Sequence, residues 1–154
     1  MIPVKILNNS NFVFPGYATS GSAGFDICIS EDVSIRPRTT ILAPTGLKMI
    51  IPEGYEGQLR LRSSMSKLGL IIPNSPGTID SDYRGEVKIA LRNLQPWDSI
   101  DLKAGTRVAQ IIISEIPKIH FEFLDEEEFQ TFSQTERGDG GFGSTNLNSQ
   151  NVEL

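Results

Sequence analysis

Cysteine and histidine occur once each in this chain, as Cys28 and His120, and tryptophan occurs once. A single thiol excludes an internal disulfide framework, and one cysteine with one histidine leaves no set for a structural zinc site. Long apolar runs are missing as well. No segment approaches the roughly 20 residues that a membrane-spanning helix needs, and the opening MIPVKILNNS carries no cleavable signal pattern. Positive charge is scarce: 14 Lys and Arg stand against 19 Asp and Glu, a formal net charge of -5. The clustered basic surface that binds DNA or RNA is therefore not expected. These absences point to a water-soluble cytoplasmic protein with no membrane and no nucleic-acid partner. Its 154 residues suffice for one domain whose core needs no staples.

Helical periodicity is nearly absent, and the apolar period is two. Gln58-Leu59-Arg60-Leu61-Arg62 alternates, with Leu59 and Leu61 inward. Residues 86–91 (EVKIAL) do the same with Val87, Ile89 and Leu91, and residues 106–113 (TRVAQIII) are apolar on both faces. Proline and glycine punctuate at short intervals, as at Pro52-Glu53-Gly54 and Pro76-Gly77. Short strands between such breakers read as an all-β fold, a distorted jelly-roll β-sandwich or barrel. Residues 64–68 offer at most a helical turn or two. The acidic stretch 125–129 (DEEEF) is a second helical candidate, with a solvated loop as its rival. From Ser133 onward Gly, Ser, Thr, Asn and Gln dominate. Such a segment buries too little apolar surface to offset its ordering entropy. The expected organisation is a jelly-roll domain over residues 1–132 and a flexible Gly-rich C-terminal tail over 133–154.

The most informative stretch is Asn74-Ser75-Pro76-Gly77-Thr78-Ile79-Asp80-Ser81-Asp82-Tyr83-Arg84-Gly85. It reads as a hairpin: an extended arm, a polar tip, then the alternating run that starts at Glu86. Folding needs no carboxylate at Asp80. Free backbone groups on two arms, one carboxylate at the base of the tip and one projecting ring suit the reading of a flat polar ring and the activation of a water beside it. A solvated surface hairpin is the plainer alternative. Elsewhere, Arg62-Ser63-Ser64-Met65-Ser66-Lys67 sets a cation and hydroxyls at a strand end, which suits a phosphate, or else an ordinary cap with a surface arginine. Gln110 sits among Val108, Ala109, Ile111 and Ile112, where a buried amide requires a partner. Asp26 follows the small-residue turn Ser20-Gly21-Ser22-Ala23-Gly24. In Arg137-Gly138-Asp139-Gly140-Gly141-Phe142-Gly143-Ser144-Thr145, four glycines allow backbone N–H groups close to phosphate oxygens. It is not a Walker A loop, because no lysine follows the last glycine.

Taken in order, AGFDI, RSSMSK, GTIDSDYRGEV, RVAQIII and RGDGGFGST resemble the five motifs of the trimeric dUTPase family, covering residues 23–145. The resemblance implies hydrolysis of dUTP to dUMP and pyrophosphate, which keeps uracil out of DNA and supplies the thymidylate precursor. It implies Asp80 as the general base for a water attacking the α-phosphorus. Asn74 and the backbone around Gly77, Thr78, Ile79 and Lys88 would read the uracil edge, with Tyr83 flat against the deoxyribose. Arg62, Ser63, Ser64 and Gln110 would hold phosphates, and Arg137 would reach the γ-phosphate. Phe142 would stack on uracil, with Gly143 and Ser144 closing the phosphate shell and Asp26 organising neighbouring side chains. Mg2+ would be held by substrate phosphates and water, without protein ligands. The resemblance also implies a homotrimer whose active sites are shared between chains. Two rivals stay open. A dCTP deaminase on the same fold would carry a glutamate in the strand after the hairpin, where this chain reads Lys88-Ile89-Ala90-Leu91. A non-catalytic trimeric module would bind nucleotide or protein without turnover.

Overall fold

The computed structural model describes residues 1–14 and 16–141. The chain divides into two compact units, Met1–Lys118 and Ile119–Leu154, so the change of composition at Ser133 falls inside the second. Among the described residues the regular elements of the first unit are strands, apart from one helical turn. The unit runs β1 (Lys5–Asn8), β2 (Phe25–Cys28), β3 (Val33–Ile35), β4 (Thr40–Pro44), β5 (Leu47–Ile50) and β6 (Tyr55–Leu61). After a single helical turn, α1 (Ser63–Ser66), come β7 (Leu70–Ile71), β8 (Gly77–Ile79), β9 (Lys88–Asn93), β10 (Ile100–Leu102) and β11 (Arg107–Glu115). Every ladder is antiparallel. One sheet is ordered β2-β11-β6-β8 and a second β4-β9-β7, with the pairs β1-β5 and β10-β3 completing the jelly roll.

The period-two reading holds where it was sharpest. Val87, Ile89 and Leu91 are buried, as are Leu59, Val108, Ala109 and Ile111. Each buried Leu or Ile side chain contributes about 1.5–3 kcal/mol relative to exposure, and these rows, with Ile27, Ile29, Ile35 and Leu70, form the core. Polar groups inside it are paired. Asn93 donates to the carbonyls of Ile35 and Asp98 at 2.9 and 2.8 Å, and its own carbonyl accepts from Gln95 N–H at 2.8 Å.

The hairpin expected after Asn74 is replaced by something more open. β8 pairs with β6, and β9 pairs with β4 and β7, so the two arms enter different sheets and share no ladder. Residues 80–87 separate them, a connection longer than the two to five residues of ordinary hairpin loops. With buried apolar residues on both arms, each strand is claimed by its own sheet.

In the second unit the acidic stretch does form a helix, α2 (Glu126–Phe132). Asp125 accepts from Glu128 N–H at 2.9 Å, and the Glu128 carboxylate accepts from Asp125 N–H at 3.1 Å, a complete capping box. Glu126, Glu127 and Glu128 lie in the first turn, where the helix dipole favours negative charge. No helix among the described residues is long and apolar enough to cross a membrane.

Candidate active site

Among the described residues the separation of β8 from β9 leaves two strand edges without partners. β8 is the outermost strand of its sheet, and β9 meets β7 only at Arg92 and Asn93. Between these edges lies a cavity of about 410 Å³, lined by Asn74, Gly77, Thr78, Ile79, Asp80, Tyr83 and Lys88 together with apolar side chains including Leu42, Ile72 and Ile89. Unpaired strand edges present rows of N–H and C=O groups. A slot between two of them suits a flat ring with donors and acceptors on its rim, its faces against apolar side chains. The Ser75–Pro76 peptide is cis where the chain turns into this slot.

The tip that follows is braced by its own bonds. Tyr83 N–H returns to the Asp80 carbonyl at 3.2 Å, and the Arg84 guanidinium donates to the carbonyls of Ser81 and Tyr83 at 2.7 and 2.9 Å. The Tyr83 hydroxyl donates to the Glu86 carbonyl at 2.9 Å, which fixes the ring. Gly85 permits that contact, because a Cβ there would stand 2.3 Å from the Tyr83 hydroxyl. The Asp80 side chain is exposed and lines the cavity next to β8.

A second cluster forms around Asp26. Its carboxylate meets Arg62 Nε at 3.1 Å and an Arg107 guanidinium nitrogen at 3.3 Å, and Arg62 also donates to the Arg107 carbonyl at 3.3 Å. Two positive charges against one negative leave this corner cationic, beside the serines of α1. Arg62 itself occupies the N-cap position of α1 and no side chain caps the turn, so the ordinary capping role foreseen for a serine here is not used. One turn of helix is too short for a substantial macrodipole. Anion affinity at this corner therefore rests on the arginines and hydroxyls. Gln110 lies opposite Asp26 in β2 and opposite Arg60 in β6, and so shares their face of the sheet. It is half-buried rather than enclosed, so it does not need the buried partner that its sequence context suggested. The close approach of β2 to β11 at this point depends on Gly24, where a Cβ would lie 2.6 Å from the Ile111 carbonyl oxygen. Gly24→Ala is expected to cost about 1–3 kcal/mol, read as a lower urea midpoint at unchanged slope.

None of Asp26, Arg62, Ser63, Ser64 and Gln110 lines the cavity that holds Asp80. The first unit thus carries the expected site residues in two separate groups. Arg137 belongs to the second unit, in a turn where Gly140 N–H donates to its carbonyl at 3.1 Å and its Nε donates to the Gly140 carbonyl at 2.7 Å. Phe142, Gly143 and Ser144 lie outside the described residues.

The dUTPase family model matches residues 10–146. The chain belongs to the dUTPase family. A deoxyuridine 5'-triphosphate nucleotidohydrolase of Zymomonas mobilis is 42% identical over 144 residues, spanning 93% of this chain and 94% of that protein. One from Hydrogenobaculum is 46% identical over 135 residues, 86% of this chain and 90% of the relative. Among solved structures, the dUTPase of Staphylococcus bacteriophage 80alpha with dUPNHPP superposes with a TM-score of 0.83 at 26% identity, covering 94% of this chain and 99% of that one. The chain is thus a dUTPase with the jelly-roll fold of that family.

Two residues of this dUTPase were not singled out from sequence. Arg107 opens the RVAQIII segment, yet nothing local shows that it reaches Asp26, 81 positions away. Glu86, after Gly85, turns back to the β4–β5 connection and looks from sequence like a solvated acid at a strand start. Cys28 carries no nucleophile's signature. Burial pushes its thiol up, with the Arg107 guanidinium opposing, which disfavours the reactive thiolate.

Proposed function

We propose that the slot between β8 and β9 holds the uracil ring of dUTP and that Asp80 activates the water that attacks the α-phosphorus. The carrying observation is the cavity in which two unpaired strand edges, Asn74, Tyr83 and Asp80 meet. Backbone groups of residues 77–79 and 88 and the Asn74 amide pair with the ring's edge. Cytosine presents a donor where uracil presents an acceptor, and a site built on such pairing rejects the mismatch by about 10⁴ or more. Tyr83, fixed by its bond to the Glu86 carbonyl, packs against the deoxyribose and leaves no room for a 2′-hydroxyl.

Water adds to the α-phosphorus, the bond to the bridging oxygen breaks, and pyrophosphate leaves. Asp80 accepts the proton of the attacking water. A carboxylate is a weak base, so much of the acceleration comes from positioning and charge neutralisation. Arg62, with Ser63, Ser64 and Gln110, supplies the donors for the phosphate oxygens, and Asp26 with Arg107 keeps the Arg62 guanidinium in place. Arg137 reaches the γ-phosphate, Phe142 covers the base, and Gly143 and Ser144 close over the chain of phosphates. The substrate is the Mg2+ complex of dUTP. The phosphate-facing donors are cations, hydroxyls and an amide. Such a set suits an ion that arrives on the triphosphate.

As the resemblance to the trimeric family implies, the complete site draws on three copies in a homotrimer: the slot from one, the Arg62 cluster from a second and the tail from a third. The product dUMP feeds thymidylate synthesis, and removal of dUTP keeps uracil out of DNA. Pyrophosphate release is to be measured from dUTP, dCTP, dTTP and UTP with Mg2+, with ammonia followed for dCTP. Release from dUTP alone is expected. Ammonia from dCTP would move the chain to the deaminases, and equal release from UTP would remove the role given to Tyr83.

A further inference from the structure

Among the described residues the hydrogen bonds of the tip over residues 80–85 run within it and to Glu86, so its position over the base slot depends on how its outgoing end is tied down. Glu86 is where that happens. Its Oε1 accepts both Thr45 N–H at 3.1 Å and Gly46 N–H at 2.8 Å, consecutive donors in the connection between β4 and β5. Two N–H groups converging on one charged oxygen make strong, directional bonds. The next residue continues the clasp: Val87 N–H donates to the Leu47 carbonyl at 2.8 Å, and the Thr45 hydroxyl donates to the Val87 carbonyl. The Glu86 carbonyl meanwhile receives the Tyr83 hydroxyl. One residue thus joins the ring that faces the slot to the turn that follows β4, the ladder partner of β9, 40 positions away. Among the described residues no ladder joins β8 directly to β9.

We infer that Glu86 is a positioning residue that fixes the width of the base slot, and with it the exclusion of a 5-methyl pyrimidine. This rests on the reading of the slot as the uracil site. The group that matters is the oxygen receiving two N–H bonds. The remaining Oε2 is 4.0 Å from the Lys88 ammonium, too long for a hydrogen bond.

The test compares kcat and KM for dUTP and dTTP in Glu86→Gln, Glu86→Asp and Glu86→Ala, with Tm recorded for each. Gln keeps an acceptor oxygen at the same reach, Asp keeps the charge but falls short, and Ala removes both. The preference for dUTP over dTTP is expected to fall by about tenfold or more in the Asp and Ala variants, the scale at which a pocket senses one methyl group, mainly through a rise in dUTP KM and a fall in dTTP KM. The Gln variant is expected to retain the preference. Should Ala fail to fold, the Asp and Gln pair carries the comparison. An unchanged preference in Asp and Ala overturns the inference, as does an equal loss in Gln, which would place the effect in the charge facing Lys88. Asn74→Ala run alongside separates the two levels. If it leaves dUTP KM unchanged, the base-slot reading falls and this inference with it. A raised KM there with an unmoved Glu86 series sinks only the clasp.

Discussion

Asp80→Asn is expected to lower kcat for dUTP by about 10²–10⁴, the range contributed by a general base, while nucleotide affinity stays within about threefold. The substitution keeps the shape of the side chain and removes only its capacity to take a proton. The structure gives reason to expect the tip to survive it. Asp80 contributes to the turn through its backbone carbonyl, which accepts Tyr83 N–H at 3.2 Å, and asparagine keeps that bond. The side chain is exposed and makes no ion pair among the described residues. Steady-state turnover and calorimetric binding of a non-hydrolysable dUTP analogue check the two halves of the statement. If affinity and kcat fell together, Asp80 would be a structural residue and the base would have to be sought elsewhere in the slot.

Removing residues 137–154 is the second large effect. Activity is expected to fall by about 10²–10³ or more, as when donors that stabilise transition-state charge are removed, whereas thermal stability stays within about 2 °C, because surface changes are typically below about 0.5 kcal/mol. Among the described residues every buried core residue lies at or before Ile111, so the truncation withdraws none of that core. What it removes is Arg137, an aromatic ring and a glycine-rich loop suited to phosphate oxygens. Turnover and a melting curve on the same preparation distinguish the outcomes. A large drop in Tm would mean that the tail clasps the fold, and unchanged turnover would mean that Arg137 and Phe142 do not act on the nucleotide.

How much of this was legible beforehand depends on whether the signal is local. Alternation at residues 86–91 and 58–62 announces strands and their inward faces, because side chains on a strand point to opposite sides in turn. The order of the five motifs, and within them Asp80, Tyr83 and Arg62, could be read residue by residue. The helix at Glu126–Phe132 was only half legible. Asp125 and Glu128 have the spacing of a capping box, but three successive glutamates suit a solvated loop equally well.

The sequence by itself determined that the protein is all-β, that it carries a carboxylate at the foot of a polar tip, and that cations and hydroxyls are available for phosphate. These follow from side-chain chemistry and short-range periodicity, which need no partner to be defined. The tertiary structure alone decided that the arms around Asp80 part into two sheets and leave a slot, instead of closing as a hairpin. It alone decided that Asp26 bridges Arg62 and Arg107 and that Glu86 holds the β4–β5 turn. Those are choices of strand partner and register between segments 18 to 81 positions apart. They are settled by which pairing buries the most apolar surface with every buried polar group satisfied, a sum over the whole core that no single segment carries.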